Sequence, residues 1–222
     1  MDIGIGLPAT IPGVAGRNVI DWAQRADGGP FSSLGIIDRL VYPNYEPLIA
    51  LAAAAAVTRR IRLLPSVLLA PLRNPGVLAK QVASLDALSE GRVTLGVGVG
   101  GREDDYRAAP ATFHDRGKRL DAQLELMHRA WSGEPLAEDV GPVGPPPVQA
   151  GGPPVLIGGN SPAAVRRLAR WGQGFIAGGA PPEQAKALYE AAASGPRAQY
   201  RPPTKRGRPG RPAPDQAAAA TS

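Results

Sequence analysis

Six times in succession the chain passes from a short apolar run into a longer helical stretch. That alternation restricts it to a parallel sheet covered by helices. The apolar runs are residues 2–8, 33–38, 61–69, 92–100, 154–159 and 174–179, and the helical stretches between and after them are 17–27, 46–58, 74–89, 116–132, 161–172 and 181–194. Strands this apolar need cover on both faces, which a closed barrel and an open doubly wound sheet both provide. Local signals support the helices. Asn74 stands before Pro75 and Ser161 before Pro162, a capping side chain followed by a residue whose fixed φ suits the first turn. Leu120, Leu124, Met127 and Trp131 share one face of 116–132. Pro65 interrupts the third run, since a proline cannot donate to a sheet ladder.

A chain of 222 residues can bury one sizeable core. It has no cysteine, so neither disulfides nor thiolate metal sites are available, and no metal is expected. No basic segment precedes the first apolar run, and Arg59 and Arg60 end the longest apolar stretch. The expectation is therefore a cytoplasmic protein without a membrane span. The formal net charge of +6 is unevenly placed. Residues 195–222 carry Arg197, Arg201, Lys205, Arg206, Arg208 and Arg211 against Asp215 alone, which leaves 19 basic and 18 acidic residues in 1–194. The body is nearly neutral and offers no basic surface for nucleic acid. The segment 195–222 is rich in Arg, Pro and Gly without apolar periodicity. It is expected to be a disordered tail beside a folded domain at 1–194.

The stretch YEPLIALAAAAAVTRRIRLLPSVLLAPLRNPGVLAKQVASLDALSEGRVTLGVGVGGREDDY (45–106), then FHDRGKRLDAQLELMHRAWSGE (113–134) and PVLIGGNSPAAVRRLARWGQG (154–174), closely resembles the bacterial luciferase-like monooxygenase family. The resemblance covers roughly residues 1–190. It implies an α/β fold of the TIM-type (β/α)8 barrel kind, with a site at the C-terminal ends of the strands. It also implies reduced FMN or coenzyme F420 as cofactor, a small organic substrate, a separate flavin reductase in many members, and a homodimer. Only about six βα units are present, so an incomplete barrel is expected, two units short of eight and truncated on its C-terminal side. Two alternatives stand beside the enzyme: a catalytically inactive remnant of the fold, and a DNA-binding tail. The second rests on Arg206–Pro209, whose Arg-Gly-Arg-Pro order matches a minor-groove hook. A segment of this composition produces such a match by chance, and no nucleic-acid partner is expected.

Candidate site residues follow from both readings. Gly158, Gly159, Asn160 and Ser161 lie between a strand and a helix N-terminus, where free backbone N–H groups and the absence of a β-carbon suit a phosphate. A plain turn with Ser161 as N-cap satisfies the same pattern. Gly96, Gly98 and Gly100 alternate, so they flatten one face of a strand. Gly98 and Gly100 are the candidate wall for a flat ring, and close packing is the other reading. At Ser66–Val67 the resemblance implies a cis peptide and a bulge behind the ring. Asp38 is the candidate substrate contact, with pairing to Arg39 or Arg62 as its alternative. Relatives have histidine after this aspartate where the chain has Arg39. They also have Gly-Asp-Gly where it has Gly172-Gln173-Gly174, so a loop contact is expected to weaken. Asn74 is read as a cap, residues 102–105 as a solvated charged loop, and His114 and His128 as structural. No catalytic acid or base is named, because a flavin carries the hard step itself.

Overall fold

The computed structural model describes residues 2–179 and 181–193. The elements run β1 (Gly4–Gly6), α1 (Gly16–Gly28), β2 (Ser33–Ile36), α2 (Pro47–Val57), β3 (Arg62–Pro65), β4 (Leu68–Leu69), a 3-10 turn (Ala70–Leu72), α3 (Pro75–Leu88), β5 (Leu95–Gly98), α4 (Glu103–Ala108), α5 (Arg116–Trp131), β6 (Val155–Gly158), α6 (Pro162–Trp171), β7 (Gly174–Ile176) and α7 (Pro182–Ala193). Every strand pairing is parallel, in the orders β1-β2-β3 and β4-β5-β6-β7. The two groups meet where Leu63 bridges Val93.

The third apolar run is thus one position in the wall made of two pieces. Pro65 closes β3 on the β2 side, and a cis peptide at Ser66–Val67 sends the chain on to pair with β5 as β4. Counted this way, the wall has six consecutive barrel positions. Among the described residues β1 and β7 each pair on one side only. The tail, its hook-like match at Arg206–Pro209 and the last residue of the helix expected over 181–194 lie outside the described residues.

Alternation along the strands decides which side chains meet the helices. Leu34, Ile36, Ile61, Leu63, Leu95, Val97, Val155 and Ile157 are buried beneath them. The residues between, among them Gly35, Arg62, Leu64, Gly96 and Leu156, turn to the barrel interior. Arg62 occupies that interior near the N-terminal ends of the strands, with Nε on Thr94 Oγ1 at 2.8 Å and Nη2 on the Val93 carbonyl at 2.7 Å. Outside the wall, α3 packs on α2 and α5, and Trp131 Nε1 of α5 donates to the Ala79 carbonyl at 3.0 Å. At the far end Arg92 donates to carbonyls of Ala55, Thr58, Ile61 and Ser89 and to Thr58 Oγ1. It thereby collects the helix and strand ends at the base. His128, read as structural, stacks on Trp171 with ring centroids 5.4 Å apart, and burial holds its pKa below the usual imidazole value.

Gln173 retains a contact where a loop contact was expected to weaken. Its Oε1 accepts from Val155 N at 2.6 Å and its own N–H reaches the Val155 carbonyl at 2.8 Å, so the side chain stitches the start of β6 to β7. No helix among the described residues is long and apolar enough to cross a membrane.

Candidate functional site

The connections that leave the C-terminal ends of the strands gather at one end of the wall. The segments 96–100 and 158–161 are neighbours there, because β5 and β6 pair through Gly96–Leu156 and Val97–Ile157. Val67 stands between them. A β-carbon on Gly98 would come to 2.7 Å from Val67 Cγ2, and one on Gly158 to 2.5 Å from Val67 Cγ1. The valine therefore leans across both strands, and only glycine leaves it room. Gly100 follows at φ +70°, a left-handed conformation, with its missing β-carbon 3.1 Å from Leu69 Cδ2. The cis Ser66–Val67 bond, the two glycines and the Val67 isopropyl form one smooth step in the wall, with Ser66 N held on the Ile36 carbonyl at 2.7 Å.

Beside this step β6 turns into α6. Gly159 has φ +146°, and a β-carbon there would approach Ala164 Cβ to 3.0 Å. Ser161 caps the helix, accepting from Ala164 N, and Pro162 opens it. Asn160 Oδ1 takes the Gly178 amide at 3.1 Å, which ties this turn to the one after β7. The result is a ten-residue helix whose first amides rise from a glycine turn and whose dipole favours an anion. The phosphate and the N-cap readings are compatible: the hydroxyl of Ser161 serves one amide and leaves the turn before it open.

Asp38 pairs with neither Arg39 nor Arg62. Its Oδ2 accepts from Leu69 N at 2.7 Å and from Arg73 Nη1 at 2.6 Å, and the side chain is 4% exposed. Arg73 continues to Glu46 Oε1 at 2.9 Å, while Glu46 Oε2 caps α2 on Ile49 N at 2.8 Å. Burial disfavours the charge on Arg73, but the hydrogen bonds and charges of Asp38 and Glu46 outweigh it and raise its pKa. This chain of ions pins the 66–74 connection at both ends. Asn74 is the N-cap of α3, accepting from Val77 N at 3.1 Å.

The charged loop expected at 102–105 is instead the start of a helix, and one of its acids is buried. Asp105 is 1% exposed. It accepts from Arg39 Nε at 2.6 Å, Leu40 N at 3.0 Å and Val41 N at 2.8 Å. Burial raises its pKa, but the hydrogen bond from Arg39, the two backbone amides and the arginine charge prevail and bring it below the ordinary 3.8. Tyr106 donates its hydroxyl to the Val99 carbonyl, and burial pushes its pKa up to about 12. So α4 rests directly on the end of β5, and the connection 37–46 rests on α4. Nothing in local spacing marks Asp105, since its partners are 64 to 66 residues away.

A cleft of about 590 Å³ lies elsewhere, on the outer side of α2 and α3, with Ile49, Val77 and Leu88 on its walls. It runs along the helix layer and reaches Glu46, Arg73 and Asn74 of the connections at one end.

The parallel wall, with the cis step and the glycine turn at a helix N-terminus gathered at its strand ends, defines an incomplete barrel of the TIM type. The sequence profile of the luciferase-like monooxygenases matches residues 1–214, and the chain belongs to that family. It is 31% identical over 191 residues to an F420-dependent glucose-6-phosphate dehydrogenase of Nocardia farcinica, covering 79% of this chain and 57% of that one. The crystal structure of the monooxygenase RslO1 of Streptomyces bottropensis superposes with a TM-score of 0.79 at 26% identity, over 91% of this chain and 68% of the other. The FMN complex of the oxygenating constituent of 3,6-diketocamphane monooxygenase from Pseudomonas putida shares the fold, with a TM-score of 0.72 at 22% identity over 87% and 61%. The chain spans about two thirds of the length of the first curated relatives it matches, and less of others.

Proposed function

We propose that this chain binds FMN or coenzyme F420 at the C-terminal ends of β4, β5 and β6 and serves as an oxidoreductase or monooxygenase for a small organic substrate. The observation that carries the proposal is the convergence of Val67 with Gly98 and Gly158, next to the Gly159 turn that opens α6. In this reading the amides of Asn160 and Ser161 hold the cofactor phosphate beside Gly159, whose own amide is on the Ile176 carbonyl and whose missing β-carbon admits the anion, with the helix dipole favouring it. Ser66, Val67, Gly98 and Gly100 present a surface without projecting side chains other than the valine, which supports a flat ring from one side. Asp38 contributes to substrate binding by clamping Leu69, and through it the turn on which Val67 stands. When bound, the cofactor would supply the hydride or the oxygen activation, and these residues would orient it.

The remaining partners belong to the same proposal: a separate flavin reductase if the cofactor is FMN, a cytoplasmic setting, and pairing of two copies. The outer cleft supports the last. Its exposed Ile49, Val77 and Leu88 are flanked by charges already engaged, Glu46 on Arg73 and Lys80 on the Gly144 carbonyl. An apolar seam with its charges satisfied suits a like surface.

Titration of the purified chain with FMN and with F420, followed by quenching of cofactor fluorescence, tests the central proposal. Saturable quenching by one of them, lost in Gly159→Val, supports it. No quenching with either favours the inactive remnant.

A further inference from the structure

The helix that opens at the glycine turn has a second helix start against its flank. A β-carbon on Gly117, one residue into α5, would come to 2.7 Å from Arg167 Nη2 of α6, so this guanidinium lies on the first turn of α5. Asp121 holds it there, with Arg167 Nε on Oδ1 at 2.8 Å. The start of α5 is uncapped. Asp115 precedes it without a side-chain bond to an amide, and the amides of Gly117 and Lys118 have no partner. Arg116 opens the helix, its guanidinium carbon 3.7 Å from the centre of the Phe113 ring and its Nη1 on the Phe113 carbonyl at 2.8 Å. Its Nε is buried without a partner. Phe113 meets Tyr106 edge to face at 5.2 Å, and Tyr106 donates to the Val99 carbonyl, between Gly98 and Gly100. These contacts tie Arg116 to the end of β5.

Charge is unevenly divided around these two helices. Asp115 pairs with Arg119 at 3.3 Å, Asp121 with Arg167 at 2.8 Å, and Glu125 with Arg170 at 3.5 Å. Arg116, Lys118 and Arg166 have no carboxylate partner, α6 contains no acid, and His114 stands just before α5. The flanking helices do not cancel this surplus. In α4, Arg102 and Arg39 engage Asp104 and Asp105, which leaves Glu103 against Arg107. In α7, Lys186 pairs with Glu190, which leaves Glu183. Unmatched cations therefore exceed unmatched acids here, in a body that is nearly neutral over 1–194.

FMN and coenzyme F420 differ beyond the phosphate. In FMN the phosphate ends the molecule, whereas in F420 it continues into a chain of glutamates, each with a carboxylate. We infer that Arg116, Lys118 and Arg166, with the free amides at the start of α5, form a subsite for this carboxylate chain, so that the site selects F420 over FMN. The inference rests on the proposal that the phosphate sits on the Asn160 and Ser161 amides. From there α6 leads to the exposed Arg166 and, through Arg167, to the start of α5. Several cations and a helix start give a tethered chain of carboxylates contacts that add, each weak alone.

Quenching titrations of the full chain at low ionic strength with FMN, with F420 lacking glutamates and with pentaglutamyl F420 test it. Pentaglutamyl F420 should bind about tenfold more tightly than either of the others, and the difference should shrink as salt is raised. Lys118→Gln/Arg166→Gln, both at exposed positions, should bring the pentaglutamyl form close to the tail-less one, and Arg116→Gln alone should reduce the difference. Arg129→Gln, near the far end of α5 and paired with Glu134, should keep it in full. Equal affinity for the two F420 forms, FMN bound as tightly as the pentaglutamyl form, a difference unmoved by salt or by these variants, or its loss in Arg129→Gln each overturns the inference. Quenching by tail-less F420 with no gain from the tail defeats this inference alone. No quenching by any of the three defeats the cofactor proposal and the inference with it.

Discussion

Val67 sets how near two strands can come to whatever lies over them, because its methyl groups occupy the positions where Gly98 and Gly158 would otherwise carry β-carbons. A methyl added at Gly158 must displace the valine, an overpacking that costs about 1–3 kcal/mol. Gly158→Ala should therefore lower the denaturation midpoint, and Val67→Ala in the same chain should return much of the loss by removing the clashing carbons. A double-mutant cycle by urea unfolding reads the coupling, and strict additivity would show that the two residues do not share this space. Asp105 makes a second prediction at this scale. Its folded pKa lies below the ordinary value, so its carboxylate stabilises the fold fully above about pH 4 and progressively less as pH falls through the folded value. Asp105→Asn should flatten that part of the acid limb of stability. It should also increase hydrogen exchange at the Leu40 and Val41 amides at neutral pH. Unchanged exchange would mean that the connection is held by something else.

At the scale of elements, what the sequence revealed and what it concealed divide by the range of the interactions involved. Helix starts were legible because a cap acts within three residues: Asn74 on Val77 N, and Ser161 on Ala164 N. Asn74→Ala should cost α3 about 1 kcal/mol, measurable as a lowered midpoint with an unchanged m-value. The strands were legible as short apolar runs because the wall is covered on both faces, as in β5, which is buried throughout. The break of 61–69 into β3 and β4 was legible in part: Leu63, Leu64, Leu68 and Leu69 suit either a continuous strand or a step, but Pro65 marks where hydrogen bonding ends and the resemblance puts the cis peptide and bulge at Ser66–Val67, where the structure has the cis bond. The helix α4 was concealed by its length of six residues and its run of acids, which carries no apolar period. The partners of Asp38 and Asp105 were out of reach altogether. The sequence offers Asp38 either Arg39 or Arg62, while the fold brings it Arg73 from 35 residues away and brings Asp105 the Leu40 amide from 65. Of the candidate site, then, the glycine pattern and the helix start could be read locally. The clamp that positions them depends on contacts that only the closed wall creates.

At the scale of the whole molecule, among the described residues β1 and β7 each pair on one side only, and an apolar seam on the helix layer is exposed. The seam bears on the state of the protein in solution. Ile49 and Leu88 are 70% and 73% exposed, on the outer faces of α2 and α3 with Val77 between the helices, and water contacts this surface in a single copy. Association of two copies through it would remove that contact while Glu46 stays paired with Arg73 and Lys80 stays on the Gly144 carbonyl at the rim. Sedimentation equilibrium at micromolar concentration should then give twice the mass of the chain, and Ile49→Glu/Val77→Glu should give the single mass. Two carboxylates introduced on each copy would have to be buried opposite their own symmetry mates. Because Ile49, Val77 and Leu88 lie on the helices and the Val67 step on the barrel side of the strand ends, the double variant should leave cofactor quenching unchanged. A wild-type chain that sediments as a monomer would remove the seam as an interface, and a dimer that survives the double variant would place the contact on another face.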